Sequence, residues 1–383
     1  MARNEEHILE DEVKRLTKCI EEKGIAKVIL IEEGNMLLKK GDETPREHFG
    51  FADGLSQPRY FDYKNEMYEA TDAIKKNLNL VFVNDIEDGN VNDKFKRIDA
   101  KNINWDDNKD LNFGSYLVYG KLEQNVESFN KKIGDIVNEL KIPKDFAEAQ
   151  VIGRFKDGTP LSFSEKPGIA KDDESVIKFN NSGLIKNKDG KYEVFFKGDE
   201  EGQRCPFHAH IRKVNPRKRV ISKEKDKNEE IHTDEKRIVR RGIPYGKERS
   251  EQLDDAPQTG HGLLFMSYQA SIENQFEFIL KNWSNNQSFP EENVGIDPIL
   301  GNGNNNVIQH WNTKWDDLSQ QSKKPFDFSD VVKFKGGEYF YTPSLTFLKE
   351  IKDEIGKKQL SFLSSSSGYK SKPIYRRRFN GRY

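Results

Sequence analysis

The sequence of 383 residues is long enough for one large or two ordinary domains. Charged residues make up 33% of it, yet 63 Lys and Arg nearly balance 64 Asp and Glu and leave a formal net charge of -1. This balance argues against a dedicated nucleic-acid binder, because such proteins usually carry a strongly basic face.

Membrane and export signals are also missing from the sequence. No stretch approaches the roughly 20 apolar residues that a membrane-spanning helix needs. The first residues, MARNEEHILEDE, are polar and acidic, unlike a signal or transit peptide. Cys19 and Cys205 are too few for a disulfide framework and lack the spacing of a metal site. We therefore expect a soluble cytoplasmic protein with no membrane partner.

Hydrophobic periodicity predicts the elements of the first half of the chain. Helical spacing indicates a helix over residues 7–23, with Gly24 as its stop signal. Apolar runs predict strands at 27–34, 35–40, 78–84 and 114–125, and a second helical pattern follows at 127–140. The turn-rich segment GRFKDGTPL (153–161) then closes the first domain.

The loop EHFGFADGLSQP (47–58) presents one carboxylate, Asp53, between closely spaced glycines. Pro58 ends the segment, so it is predicted to be a loop rather than a strand. An ordinary Asp-Gly turn would have the same appearance, and such turns are common. The loop alone therefore leaves a structural and a functional reading open.

The second half of the chain repeats the alternation of strands and helices. Polar residues at 166–202 indicate a linker and a hairpin, and the charge run at 218–235 indicates a solvated loop. The asparagine-rich stretch at 284–325 is predicted to be an exposed loop. Strands are predicted at 261–270 and 336–344, with helices after them at 271–283 and 345–358.

This order of elements predicts an α+β fold of two sandwiches in tandem. We place the first domain at 1–165 and the second at 166–365. A tail at 366–383 carries basic residues and is predicted to be a disordered, solubilising end.

A histidine lies in the middle of CPFHAHIRKVNPR (205–217), and RRGIPYG (240–246) adds further arginines. His210 stands in an alternating apolar run that predicts a short strand. An imidazole on a rigid element near cations suits an anionic, metal-bearing cofactor such as haem. An isolated histidine in an apolar run is, however, more often a core residue with its hydrogen bonds satisfied.

Five motifs in this order resemble the dye-decolourising peroxidase family of haem proteins. They are EHFGFADGLSQP, CPFHAHIRKVNPR, RRGIPYG, GLLFMSYQASIENQFEFI and GGEYF. The similarity extends from about residue 7 to about residue 350. The resemblance implies tandem ferredoxin-like domains of the dimeric α/β-barrel type, with antiparallel sheets, peripheral helices and haem b held mainly by the second domain.

The resemblance also assigns roles to individual residues. The aspartate of the family's GxxDG motif falls on Asp53, and the distal arginine falls on Arg240. The proximal ligand of the haem iron falls on His210 rather than on His208, because the family pattern is AHIRK. Asp297, in GIDPILG, is the candidate for the carboxylate behind the proximal histidine.

Four further residues complete the expected haem site. Leu263 and Phe265, in GLLF, match positions that line the distal pocket. Haem propionates need cations, and bidentate geometry favours Arg212 and Arg217 over Lys213 and Arg241.

The function implied is peroxide-dependent oxidation of dyes, phenols or similar donors through a high-valent iron intermediate. The partners would be hydrogen peroxide and a bulky organic reductant, with no nucleic acid, and a homo-oligomer is left open. Asp53 lies closer to the start than is usual in the family, so we expect the first strands of the N-terminal domain to be absent. The alternative is a haem-binding or haem-carrying protein with little turnover, but retention of both Asp53 and Arg240 favours the enzyme.

Overall fold

The structure is a computed structural model. The residues that it describes are 8–24, 26–39, 42–54, 80–84, 113–168, 183–186, 192–196, 199, 201–216, 220–221, 230–231, 233–246, 259–303, 305–344 and 347–348. In these residues, no helix is both long and apolar enough to cross a membrane.

Fourteen strands are defined in this part of the chain. They are β1 Leu37–Lys39, β2 Asp42–Arg46, β3 Val83–Asn84, β4 Phe113–Gln124, β5 Gly183–Lys186, β6 Tyr192–Phe196, β7 Val220–Ile221, β8 Glu230–Ile231, β9 Val239–Arg240, β10 Ile243–Tyr245, β11 Gly262–Gln269, β12 Gln309–Asn312, β13 Gln321–Lys324 and β14 Val332–Thr342. The α-helices are α1 Ile8–Glu22, α2 Val126–Leu140, α3 Lys144–Ile152 and α4 His210–Val214. A 3₁₀ turn spans Thr233–Lys236, and π-helical segments span Ile272–Glu277 and Ile279–Ser284.

The main sheet is antiparallel and has β4 at its centre. Its strand order is β10-β11-β4-β14, with β3 also paired to β4 and β9 also paired to β11. β4 is 12 residues long and pairs with β11 over residues 116–123 and with β14 over residues 115–124. The predicted α+β class with antiparallel sheets is confirmed.

Helix α2 packs the core because its apolar residues recur at spacings of three and four. The buried positions are Val126, Phe129, Ile133, Ile136 and Leu140. Burying each of the larger side chains stabilises the fold by about 1.5–3 kcal/mol. The Asn125 side chain caps the helix by accepting a hydrogen bond from the Ser128 amide at 2.9 Å.

Most of the predicted elements are confirmed, with shifted ends. The helices predicted at 7–23 and 127–140 are α1 and α2, and the strands at 114–125, 261–270 and 336–344 are β4, β11 and β14. The helix predicted at 271–283 is present but has π-type hydrogen bonding. Of the helix predicted at 345–358, only 347–348 lie in the described part of the chain, and these are helical. The tail at 366–383 lies outside it.

The predicted strand at 27–34 is wrong, because the segment is extended but forms no ladder. It approaches β10, where the Asn35 amide donates to the Pro244 carbonyl at 2.7 Å. Pro244 has no N–H to return, so the edge of the sheet cannot continue into this segment. Its apolar side chains remain exposed, with Ile29 80% and Leu30 69% accessible.

The predicted strand around His210 is also wrong, because this residue begins helix α4. The apolar alternation covers only three positions before Ile211 and Val214 take a helical spacing. Pro206 starts a turn by accepting a hydrogen bond from the Ala209 amide at 3.1 Å. The Lys213 amide then donates to the Ala209 carbonyl at 3.1 Å, which gives the helical turn.

The asparagine-rich stretch predicted to be an exposed loop contains buried structure instead. Strands β12 and β13 form a hairpin there, and Trp311 and Asn312 are almost fully buried. The main sheet takes strands from both sides of residue 165, since β4 lies between β11 and β14. The division at 165/166 therefore does not separate two sheets, and the domain limits stay a prediction.

Candidate functional site

The side chain of Glu47 holds the loop that carries Asp53 in its conformation. Glu47 accepts hydrogen bonds from the amides of Phe49 and Phe51, each at 2.8 Å, and from Gln124 Nε2 at 2.5 Å. Burial raises the pKa of Glu47, and these hydrogen bonds oppose that shift. Gly50, at φ 94, allows the tight turn that brings both amides to one side chain.

Two phenylalanines of the same loop pack into the hydrophobic core. Phe49 stacks on Phe129 of α2 with a centroid distance of 4.3 Å, and Phe51 meets Phe129 edge-on at 6.2 Å. Both are buried. Asp53 follows Phe51 by two residues, so the packed rings fix where its backbone lies.

The turn at 153–158 supports the loop from the other side. The Ala52 amide donates to the Lys156 carbonyl at 2.9 Å, and Arg46 Nη1 donates to the same carbonyl at 2.7 Å. The Asp53 amide donates to the Pro45 carbonyl at 2.8 Å. The GxxDG and GRFKDGTPL motifs are therefore parts of one structure.

Asp53 and Arg240 lie in contact with each other. Arg240 Nη1 lies 3.4 Å from Asp53 Oδ1, and the side chains are 42% and 22% exposed respectively. The pair is thus partly open to solvent and could be reached by a small polar substrate. The geometry alone would also fit an ordinary ion pair.

Leu263 and Phe265 lie on the same face of the sheet as Arg240. Arg240 is opposite Ser267 in the antiparallel pair of β9 and β11, and directly opposite residues project from one face. Successive residues of a strand alternate between faces, so Leu263 and Phe265 share the face of Ser267. Both are half-buried, and Phe265 packs on Phe276 with a centroid distance of 5.9 Å.

A buried arginine that the sequence reasoning did not single out lies close to this pair. Arg154 donates to the Gly158 carbonyl at 2.7 Å. Burial and the charge of Arg240 lower the pKa of Arg154 to about 10, and Cys205 opposes this shift. Arg154 thus interacts electrostatically with Arg240 and with Cys205, which precedes His210 in the chain. The GRFKDGTPL motif was the signal available in the sequence.

The turn that precedes His210 is organised by Asp199. Its carboxylate accepts hydrogen bonds from the amides of Arg204 at 3.1 Å and Cys205 at 2.8 Å. Burial raises the pKa of Asp199, and the charge of Arg212 opposes this shift.

The helix that carries His210 packs closely against α3. Gly153 ends α3 at φ 100, and a Cβ there would lie 3.1 Å from Ile211 Cβ. Helices α3 and α4 can therefore approach closely only through this glycine.

His210 and Asp297 are in contact, and the Asp297 carboxylate is buried. His210 Nδ1 lies 2.9 Å and 3.0 Å from the two carboxylate oxygens of Asp297. Asp297 Oδ1 also accepts hydrogen bonds from the amides of Ile299 at 2.8 Å and Leu300 at 3.0 Å. A carboxylate oxygen can only accept from the imidazole, so Nδ1 carries the hydrogen of a neutral His210 ring and Nε2 holds the lone pair.

These residues fit a haem iron. Within the described part of the chain, Nε2 of His210 has no hydrogen-bond partner, and the His210 side chain is 23% exposed. No group of three or more His, Cys, Asp or Glu in that part could hold a metal ion by itself. A metal bound here through one imidazole would need its other ligands from a macrocycle.

His208 is unsuited to the same role. It is buried and packs against Trp311 with a centroid distance of 4.1 Å. Burial, together with the charges of Lys213 and His310, lowers the pKa of His208 to about 3.

The predicted propionate partners lie in different environments. Arg212 is buried, with Nη2 donating to the Asp199 carbonyl at 2.8 Å and its guanidinium 4.8 Å from the centre of the Phe207 ring. A guanidinium has five N–H groups, so a further acceptor is compatible with this position. Arg241 is exposed, Lys213 is fully buried against backbone carbonyls, and Arg217 lies outside the described residues.

The predicted site residues are thus brought together as two contact pairs, Asp53 with Arg240 and His210 with Asp297. One hydrophobic core supports both, because it contains Phe51 from the Asp53 loop and Ala209 from the start of α4. No hydrogen bond or ion pair joins one pair directly to the other among the described residues.

The chain is similar to known proteins in sequence and in fold. A family model described as "Dyp-type peroxidase, C-terminal" matches residues 76–293. The chain belongs to the DyP-type peroxidase family. It is similar to the multifunctional dye peroxidase DyP2 of Amycolatopsis sp., with 32% identity over 356 residues that cover 88% of this chain and 68% of the relative.

Other relatives and solved structures show the same likeness. The dye-decolorizing peroxidase msp1 of Mycetinis scorodonius is 30% identical over 82% of this chain and 58% of the relative. The crystal structure of a DyP-type peroxidase from Anabaena sp. superposes with a TM-score of 0.64 and 29% identity, over 89% of this chain and 66% of that one. The ferredoxin-like α+β fold is thereby confirmed. The chain spans about 57–68% of the length of these and other curated relatives.

Proposed function

We propose that this protein is a haem peroxidase that reduces hydrogen peroxide and oxidises dyes, phenols or similar donors. The observation that carries the proposal is the contact of His210 Nδ1 with Asp297 at 2.9 Å, which leaves Nε2 as a ligand for iron. The cleavage of the peroxide bond and the electron transfer are chemistry that the cofactor supplies. The protein residues bind, orient and move protons around it.

On the distal side, Asp53 would take a proton from one peroxide oxygen and return it to the other. This role needs an ionised carboxylate, and Arg240, 3.4 Å away, stabilises one because it is permanently cationic. Arg240 would also stabilise negative charge that develops as the peroxide bond breaks. Leu263 and Phe265 would exclude water and strengthen both interactions.

On the proximal side, His210 would donate Nε2 to the iron. Asp297 holds the ring in the tautomer that this requires and makes the imidazole more basic. The two backbone amides on Asp297 Oδ1 keep the carboxylate in place. Arg212 and Arg217 would bind the propionates.

The cofactor that we propose is haem b, which is held without covalent attachment. The chain has only two cysteines and no C-x-x-C-H segment, so a c-type thioether linkage has no attachment site. Burial raises the pKa of Cys205 to about 12, which makes its thiol inert. Two free cysteines also suit a cytoplasmic location, which remains a prediction, as does a homo-oligomer.

The test is peroxide-dependent oxidation of a dye by the haem-loaded protein and by Asp53→Asn. We expect the initial rate of the variant to fall by about 100-fold or more, because proton transfer by a positioned group contributes on this order. Asp317→Asn is a matched control in a turn away from the site and should keep the parent rate.

Two other results would count against the proposal. A haem-loaded parent with a histidine-ligated spectrum but no turnover would support a haem carrier instead. Equal rates for the parent and Asp53→Asn would remove Asp53 from the mechanism.

A further inference from the structure

A fully buried lysine lies on the helix that carries His210. Lys213 is three residues after His210 in α4 and is 0% exposed. Its Nζ contacts three backbone carbonyls, those of Asn286 at 2.7 Å, Phe289 at 2.5 Å and Gly295 at 2.8 Å. An ammonium group has three N–H donors and a neutral amine has two, so this cage fits the charged form.

The three carbonyls belong to the segment at 286–297, which ends at Asp297. The Asp297 amide also donates a hydrogen bond to the Ser284 carbonyl at 2.8 Å, and this bond fixes the end of the segment. Helix α4 therefore meets the segment at two points, through His210 at its first residue and through Lys213 in its last turn. Together these contacts fix the separation of the imidazole from its carboxylate.

The carboxylate of Asp297 lies close to Lys213 and is also removed from water, since Asp297 is 1% exposed. Burial lowers the pKa of Lys213 and the charge of Asp297 opposes this shift, so that the pKa is about 7. The titratable groups that face the lysine from outside α4 are Asp297 and His208.

We propose that Lys213 is a positioning residue for the proximal ligand, which holds the Asn286–Asp297 segment against α4 and thereby keeps Asp297 in contact with His210. This inference rests on the proposed function, because it assigns Lys213 to the haem ligand. The contact of Asp297 with His210 Nδ1 makes the imidazole a stronger donor to iron. A purely structural lysine would contribute to folding but not to the electronic state of the iron.

A double-mutant cycle in the haem-free protein tests the positioning without any cofactor. The variants are Lys213→Met, Asp297→Asn and the double variant, measured by thermal unfolding. Lys213 and Asp297 act through the same segment, so each single variant should lose stability, and the double variant should lose less than the sum. Additive losses would overturn the proposal. If Lys213→Met fails to fold, Lys213→Gln, which keeps two N–H donors, takes its place in the cycle, and additive losses there would overturn the proposal equally.

The reduction potential of the bound haem iron tests the link to the ligand. We expect Lys213→Met to shift the midpoint potential upward, because an imidazole that has lost its contact with Asp297 is a weaker donor and stabilises ferric iron less well. Ile211→Ala, on the same helix, removes packing but none of the contacts to the segment and should keep the parent potential. An unchanged potential in Lys213→Met would overturn the proposal. Absence of haem uptake by the parent would contradict the proposed function instead, while the cycle in the haem-free protein would still test the positioning of Asp297.

Discussion

At the scale of single residues, the site depends on polar groups that are buried with their partners in place. Asp297 accepts hydrogen bonds from the imidazole of His210 and from two backbone amides. Glu47 accepts hydrogen bonds from two backbone amides and from the side-chain amide of Gln124. Buried carboxylates without such donors would be costly to fold around. These donors therefore explain how the chain can keep carboxylates in its interior beside the proposed site.

The stability of the protein should depend on pH through His208. Its pKa is about 3 in the folded protein against 6.5 for an ordinary histidine, so the unfolded chain binds a proton over this interval while the folded chain does not. The contribution of the neutral His208 to the free energy of unfolding should be complete above pH 6.5. It should be lost as the pH falls toward 3, which lowers the free energy of unfolding by on the order of several kcal/mol.

Chemical denaturation at a series of pH values checks this prediction. In His208→Gln the decline between pH 6.5 and 3 should be much weaker than in the parent. Trp311→Phe perturbs the same packing but keeps the histidine, so it should retain the parent's decline. The same pH profile for His208→Gln and the parent would show that other groups control acid stability.

The sequence indicated the four residues of the two contact pairs more readily than the residues that hold them in position. Asp53, Arg240, His210 and Asp297 were all named, and the structure joins them in two pairs. Lys213 was interpreted as a possible propionate partner, because a sequence cannot show that three carbonyls surround a cation. Glu47 was not singled out, since its amide partners depend on a turn formed by Gly50.

At the scale of elements, close packing between strands explains why particular glycines stand in the sheet. A Cβ at Gly262 would lie 1.9 Å from the Leu122 carbonyl oxygen of the neighbouring strand β4. Nothing in a rigid backbone ladder can yield by that amount. This glycine therefore permits the pairing of β11 with β4 that places Leu263 and Phe265.

Gly262→Ala should lower the free energy of unfolding by about 1–3 kcal/mol or more, because overpacking forces the backbone to shift. The matched control is Gly134→Ala in α2, where a Cβ would meet nothing within 4 Å. That change should stabilise the protein by up to about 1 kcal/mol. Urea denaturation of both variants measures the difference, and a neutral effect of Gly262→Ala would refute the close approach.

The cap of α2 gives an independent prediction at the same scale. Asn125→Ala removes the hydrogen bond to the Ser128 amide and should cost about 1 kcal/mol. Asn125→Ser supplies another good cap and should recover most of the loss. Equal stability of Asn125→Ala and the parent in urea would mean that the cap adds nothing.

Element types were predictable where a long pattern was present, and failed where neighbours decide. β4 and α2 follow from alternation and from helical spacing over 12 and 15 residues. The segment at 27–34 has the composition of a strand, but Pro244 on the adjacent strand removes the donor that a ladder needs. The short run around His210 carries too few residues to distinguish a strand from a helical turn.

At the scale of the whole molecule, one core supports both halves of the proposed site. Helix α2, the Asp53 loop and the residues before His210 all contribute side chains to it. A change deep in this core should therefore affect both pairs together. The family and the ferredoxin-like class could be predicted from ordered motifs, whereas the sharing of β4 across the proposed domain boundary depends on long-range pairing that no local pattern contains.

Haem binding through His210 is the central claim, and an absorption titration tests it most directly. Haem is added to the parent, to His210→Ala and to His310→Ala, an exposed histidine that serves as the control. We predict a Soret band typical of histidine-ligated ferric haem in the parent and in His310→Ala, and its loss in His210→Ala. An unchanged spectrum in His210→Ala, or no haem uptake by the parent, would contradict the account.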